Sequence, residues 1–438
     1  MAKTYRPYCP DQMFLLPPSL RDWLPEDHLV YFVSDVVDQL DLSRIEAIYQ
    51  KDDRGQPPYH PRMMTKILVY AYCVGIFSSR KIQKRLIEDV AFKVLAAGNE
   101  PDFRTISDFR KIHFAALQGL FEQVLQLALT AGAIKLGRVA LDGSKVKANA
   151  SKHKAMSYKR MRKEQRNLRA EVRKLLEKAE AADDEDDTRY GKNKSGDELP
   201  DELSRRETRL KRIQEAKRAL EKRAREEAEQ AGESEEQAEK SKPDDKAQYN
   251  FTDPESRIMK GSDRFVQAYN AQAVVEEGSQ LIVAQAVTQE ANDKQQVTPM
   301  VEAVEVQSGQ VPKQVLADSG YCSERNLEYL ENKAFDAYVA TSKQKHGKKP
   351  DPCKRGPLPV GATLVDKMTR KLQTKAGAKV YAARKGIVEP VFGQIKQARG
   401  FRQFFLRGID KVRAEWALIC TTHNILKMYR LCYGEDSH

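Results

Sequence analysis

Tryptophan occurs twice, histidine seven times and cysteine six times in 438 residues. None of the six cysteines (Cys9, Cys73, Cys322, Cys353, Cys420, Cys432) forms a CxxC pair, which argues against a zinc ribbon or a disulfide framework and points to a reducing compartment. No HxxxH or HxxH spacing joins the histidines. Long apolar runs are missing too: the longest, from Ile67 to Phe77, has eleven residues and falls well short of a membrane span. The first twenty residues lack the apolar core of a signal peptide. These absences predict a cytoplasmic protein with no membrane partner.

What is abundant is charge. Lys and Arg number 75 against 63 Asp and Glu, leaving +12. From Lys343 to Arg413 there are 19 cations and four acids, so this stretch carries +15 and the rest of the chain −3. A localised surplus of this kind is the electrostatic footprint of a polyanionic partner, although a solvated Lys-rich surface has the same composition.

Periodicity divides the chain. Residues 1–132 read as helical after a Pro-rich entry. MMTKILVYAYCVGIF follows Pro61, Ile82, Leu86, Val90 and Val94 recur at four-residue spacing, and one long helix is expected from Ser107 to about Thr130. This helix-turn-helix character suits a DNA groove, with Arg80, Lys84 and Arg110 available to phosphates. RVALDGSKVKAN switches to strand alternation. Residues 158–248 are dominated by charge, with two apolar stripes and an acidic, Gly-containing turn between them, which predicts an inserted helical hairpin. Strand and helix patterns then alternate to the end, so residues 133–157 and 249–438 read as one α/β domain with a mixed sheet.

Three acids stand out in that domain. Asp142 interrupts VALDGS, Asp318 ends the apolar run of VLADSGY, and Glu389 is the only acid between Asp366 and Asp410. Acids at strand ends are where α/β sheets gather ligands, yet each alone is as readily a cap or an ion-pair partner. Brought together, the three would repel unless divalent cations joined them, the arrangement that Mg²⁺ adopts with a few carboxylates and a substrate phosphate. Lys385, Glu389 and Lys396 share a helical face, while Arg384 lies about 140° from Glu389. Pro390 is expected in the first turn of that helix, with Lys385 at or before its start.

With YHPRMMTKILVYAYCVGIFSSRKI, PDFRTISDFRKIH, VALDGSKVKANAS, TDPESRIMK, YNAQAVVEE, ANDKQQVTPM, VLADSGY, YAARKGIVEPVFGQIK and EWALICTTHNILKM in this order, the chain resembles the DDE transposases of bacterial insertion sequences, in the branch with a helical N-terminal domain before a ribonuclease H-like catalytic core. The resemblance implies that Asp142, Asp318 and Glu389 are the catalytic, metal-binding carboxylates, with two Mg²⁺ ions for which Mn²⁺ substitutes. The family pattern of Tyr, Arg, Glu and Lys matches Tyr381, Arg384, Glu389 and Lys396, except that four residues rather than three separate Arg384 from Glu389. Either the register is one residue longer or Lys385 takes the Arg position. Tyr381, Arg384, Lys385, Lys396 and Arg399 are then expected on DNA. The implied partners are double-stranded DNA, as terminal inverted repeats and target, and a second copy in a dimer or larger synaptic complex. A nuclease of this fold without strand transfer and a transposase-derived DNA-binding repressor are the rival readings. Asn292-Asp293, Asp253, Ser319, Tyr321 and Gln394 are secondary candidates, and His423 reads as a core residue.

Overall fold

The computed structural model describes residues 19–49, 57–190, 201–230, 232, 234–261, 264–333, 335–342 and 356–434. The Pro-rich entry and the first part of the basic stretch, 343–355, lie outside the described residues; of the acidic turn expected over 181–200, residues 191–200 lie outside them as well, whereas 181–190 are not a turn but the end of a helix.

The N-terminal region is helical, as its periodicity predicts: α1 (Leu29–Asp38), α2 (Ser43–Tyr49), α3 (Pro61–Cys73), α4 (Ser79–Glu88), α5 (Val90–Ala96), α6 (Phe103–Ile112) and α7 (Phe114–Thr130). The four-residue repeat from Ile82 to Val94 is split between α4 and α5, because Asp89 leaves the helical conformation and its carboxylate caps Ala91 N–H. The long helix expected from Ser107 to Thr130 is likewise two helices, broken at His113, and its start is capped by Asp102, which accepts from Thr105 N–H at 2.7 Å.

The α/β region runs β1 (Arg138–Lys147), β2 (Ala155–Ser157), α8 (Tyr158–Tyr190), α9 (Asp201–Gln230), α10 (Glu235–Lys240), β3 (Gln248–Asn250), β4 (Arg257–Lys260), β5 (Phe265–Glu276), β6 (Ile282–Thr288), α11 (Val297–Ser308), β7 (Gln314–Ala317), α12 (Glu324–Asn332), β8 (Asp336–Val339), α13 (Leu364–Gln373), α14 (Lys375–Gly393) and α15 (Ile409–Tyr433). One sheet is ordered β4-β5-β1-β7-β8, with β6 also paired to β5. β5 runs antiparallel to β1, β4 and β6, whereas β7 and β8 run parallel to β1. The mixed sheet predicted from the alternation is therefore present, and the charged insertion leaves it between β1 and β4. A short β2–β3 ladder forms the root of the α8–α9 pair, whose own small core is built on Tyr158, Met161, Leu168, Ile213, Ala216 and Leu220.

α15 ties the molecule together. It packs on α7, α3 and β6, and one continuous apolar core runs from Val30 in α1 through the sheet to Ile425. Asn424 completes the β6 edge by accepting from Ile282 N–H and donating to Ile282 C=O, both at 2.8 Å. Trp416, fully buried, donates to the Gln272 carbonyl of β5 at 3.1 Å, satisfying the one polar atom its ring brings into the core.

Candidate active site

The last residue pair of the parallel β1–β7 ladder is Leu141 with Ala317. Asp142 and Asp318 are the next residue on each strand, so the sheet itself sets the two carboxylates side by side at the point where β7 ends. Both are half-buried. Asp142 accepts from Gly143 N–H at 2.9 Å and Asp318 from Gly320 N–H at 2.7 Å. Burial, reinforced by the neighbouring Asp318 charge, pushes the Asp142 carboxyl up to about 6, against the pull of Arg384.

Arg384 comes from α14. Its Nη1 lies 3.4 Å from Asp142 Oδ2, the Asp142 and Asp318 charges both favour its protonated form, Tyr381 is hydrogen-bonded to it, and its Nε is buried with no acceptor among the described residues. Lys385, the alternative at this position, is exposed and has no ion-pair partner among the described residues, so of the two it is Arg384 that reaches Asp142. Lys396 donates to Ser144 Oγ, two residues beyond Asp142 on β1, and lies 3.4 Å from the Lys145 carbonyl. Burial lowers the Lys396 ammonium, Lys145 adds to this, and Asp142 opposes it.

The expectation for Pro390 is overturned. Thr374 caps the helix from its N-terminal side, accepting from Gly377 N–H at 3.0 Å, so α14 starts at Lys375 and Pro390 falls in its last turn. Proline has no N–H to give Gly386 C=O. Gln280, from the β5–β6 turn and at φ +56°, supplies the missing donor: its Nε2 meets that carbonyl at 3.0 Å. Lys427 holds the other end of the same amide at 2.6 Å. A π-helical turn, Gln394–Ala398, follows at once. His423 pins it, bridging Gln394 Oε1 at 2.9 Å and Gln280 C=O at 3.0 Å; it is a core residue, as its apolar stripe predicts, and burial lowers its imidazole to about 3.

Glu389 stands apart. It is exposed, beside Pro390, and makes no hydrogen bond or ion pair among the described residues. No group of three or more His, Cys, Asp or Glu among those residues is arranged to hold a metal ion. Two hard oxygen donors, Asp142 and Asp318, balanced by a single guanidinium, nevertheless fit a magnesium that takes one or two carboxylates and completes its shell with water and phosphate.

A fourth acid lies beneath this pair. Asp293 Oδ1 takes three donors: Lys145 Nζ at 3.2 Å, Asn270 Nδ2 at 2.6 Å and Gln272 Nε2 at 2.7 Å. A Cβ on Gly143 would lie 2.8 Å from Asp293 Oδ1, and one on Gly320 3.3 Å from Oδ2. Both glycines are thus required by the carboxylate wedged between the middle of β1 and the turn that follows β7. Gln272 in turn accepts from the buried Tyr321 hydroxyl. Sequence reading gave Asp293 and Tyr321 only secondary weight. The signal was there in the Gly after Asp142 and the Gly two after Asp318.

Two expected DNA contacts are corrected. Arg110 is buried and donates to Tyr72 OH and Phe77 C=O, both at 3.0 Å. Arg399 is buried between α3 and α15, donating to Thr422 Oγ1 at 2.7 Å and Ile419 C=O at 3.1 Å, and burial lowers its guanidinium to about 10. Neither reaches a phosphate. Arg80, over the Phe103 ring, and Lys84, paired with Glu88, are exposed on α4. Asp253 is also structural, accepting from Tyr269 OH at 2.9 Å and from Gly408 N–H.

No helix among the described residues is long and apolar enough to cross a membrane. No curated protein and no solved structure matches the chain. Two family models do. The one described as "Transposase domain (DUF772)" matches residues 18–112, and the one described as "Transposase DDE domain" matches residues 233–425, a span holding Asp318 and Glu389 but not Asp142. With both matches in the order of the helical region and the mixed sheet, the chain belongs to the DDE transposases of insertion sequences, with a ribonuclease H-like catalytic domain.

Proposed function

We propose that this transposase binds the terminal inverted repeats of its insertion sequence, cuts phosphodiester bonds at their ends and joins the freed 3′ hydroxyl to target DNA. The observation that carries the reading is the juxtaposition of Asp142 and Asp318 on adjacent parallel strands, with Arg384 at Asp142 and Lys396 at Ser144 from the helix that follows. Two Mg²⁺ ions, for which Mn²⁺ substitutes, would be held by Asp142 and Asp318 with Glu389 as the third carboxylate, and would supply Lewis acidity at the attacking and departing oxygens of the phosphodiester. Arg384 offsets the charge of the acidic pair and offers its unpaired Nε to a phosphate oxygen. Lys396, on Ser144, orients a second phosphate oxygen. Tyr381 fixes the Arg384 guanidinium. Water and the DNA 3′ hydroxyl serve in turn as nucleophile. Arg80 and Lys84, exposed on α4, contact DNA outside the site, and two copies hold the two element ends together.

The test is a cleavage and joining assay with element-end duplex, target plasmid and Mg²⁺. Asp142→Asn, Asp318→Asn and Glu389→Gln each abolish cleavage while leaving duplex binding intact. Unchanged cleavage in the two aspartate variants refutes the reading; unchanged cleavage in Glu389→Gln removes that residue alone. Cutting without joined product identifies a nuclease.

A further inference from the structure

The α8–α9 hairpin lies outside both family matches. Its charge is sorted along its length. Over 158–174 and 204–225 there are 18 Lys or Arg and five Asp or Glu, whereas 177–187 holds seven acids and one Lys. The acidic segment cancels the basic root in any whole-chain sum, which is why the −3 outside residues 343–413 conceals it.

A solvated helix needs no such root. Like charges three and four residues apart destabilise a helix, yet Lys159 and Lys163, Arg162 and Arg166, Arg169 and Arg173, and Arg205 and Arg209 stand at that spacing. The first turn of α8 holds no acid, so its cations sit at the end where the helix dipole disfavours them. Three of the five acids already hold a cation: Glu164 with Arg209 at 2.7 Å, Glu171 with Arg206 at 3.5 Å and Glu221 with Lys217 at 3.4 Å. The surplus is left facing solvent, Lys159, Arg160, Arg162, Lys163, Arg166, Arg169 and Arg173 all being exposed.

On one side of the root the surface is concave. A cleft of about 810 Å³ is lined by Lys154, Arg160, Arg209 and Arg212, against the one acid Glu215, together with Tyr249 and Phe251. Its four cations are exposed, and Lys154 follows the end of β1, the strand of Asp142, by seven residues. We propose that this cleft and the basic root around it form a clamp for the phosphodiester backbone of duplex DNA leading to the Asp142–Asp318 site. Cations in a groove bind phosphate without reading sequence, and the aromatic rings pack on deoxyribose. The inference rests on the transposase reading for its ligand, and on charge and shape for its place.

The test uses the full chain carrying Lys154→Gln, Arg160→Gln and Arg212→Gln together, none of them in the catalytic machinery and none holding an acid in an ion pair among the described residues. Binding of a random-sequence duplex is measured against salt, with thermal unfolding as control. Three lost phosphate contacts reduce the log-log slope by about 2.7, the thermal midpoint is kept because like charges have been thinned, and Arg160→Lys with Arg212→Lys in a chain that retains Lys154 keeps the starting slope. An unchanged slope overturns the clamp. So does an unchanged slope with loss of self-association in sedimentation, which would assign the root to the acidic segment of a second copy. Either result leaves the aspartate variants to decide the catalytic reading independently.

Discussion

Gly143→Ala tests whether the bed beneath the proposed catalytic pair sets its geometry. The new Cβ would stand 2.3 Å from Gln272 Nε2 and 2.8 Å from Asp293 Oδ1. Ordinary contact begins near 3.4 Å, so something must move by about 1 Å, the scale of misplacement that costs an enzyme about 10²-fold in rate. The Gln272 backbone cannot give way, since it lies in β5 between β1 and β6 and its carbonyl is held by Trp416. Its side chain can yield only by releasing Asp293 and the Tyr321 hydroxyl. Overpacking of this kind costs about 1–3 kcal/mol, too little to unfold a domain of this size. The variant is therefore expected to be folded, slightly less heat-stable and about 10²-fold slower in single-turnover cleavage. A folded variant cutting at the wild-type rate would mean that the wedge of Asp293 between β1 and the turn after β7 has no bearing on Asp142.

Asp293→Asn keeps an acceptor for the three donors but removes the charge under the pair; supporting groups of this kind typically cost about 10–100-fold in metal affinity or activity, read here as weaker Mn²⁺ binding by titration calorimetry with an unchanged thermal midpoint. Pro390→Ala restores an amide for Gly386 C=O and raises the thermal midpoint, since proline is worth about 3 kcal/mol less than alanine inside a helix; cleavage falls because the helix straightens. Gln280→Gly suits the positive φ at that position and leaves stability near its starting value, while amide exchange across 387–398 quickens as Gly386 C=O loses its donor. Glu415, buried with Phe405 and Leu406 N–H on its carboxylate, is pushed by burial from 4.5 up to about 7. A carboxyl raised on folding leaves stability intact below its unfolded value and takes it away as pH rises through the folded one. Glu415→Gln is accordingly expected to gain about 3 kcal/mol above pH 7 and nothing at pH 4, checked by thermal unfolding at both.

The legible parts of this molecule were those where one residue type has one use. An apolar run that stops at an acid is a strand end for Asp318, which directly follows β7, whereas Asp142 is the fifth residue of a strand that runs on to Lys147, because β5 continues to pair with β1 after β7 has ended. His423 fell on a helical stripe with Trp416 and Ile419 and belongs to the core. Arg110 and Arg399 misled because a cation in a basic sequence is taken as exposed, and neither has a carboxylate partner nearby in sequence to mark it as internal; carbonyl and hydroxyl oxygens hold them instead. Pro390 misled for a related reason. Proline is a local signal for a helix start, whereas the donor that lets it sit in the last turn is Gln280, more than a hundred residues away.

That distant donor bears on how one helix serves the site twice. Arg384 and Lys396 are twelve residues apart, which on an uninterrupted helix leaves their side chains about 120° apart around the axis. Both nevertheless meet the same strand, at Asp142 and at Ser144, whose side chains share one face of β1. The difference in direction has to be absorbed between them, and that interval contains the two departures from α-helical geometry: Pro390 and the π turn of Gln394–Ala398. Each is anchored from outside the helix, the first by Gln280 and the second by His423, which grips Gln280 as well. Glu389 lies between the two anchors. Its direction is thus governed by the β5–β6 turn and α15 rather than by the sheet that fixes the aspartates, so the two halves of the proposed carboxylate set are positioned by separate parts of the fold.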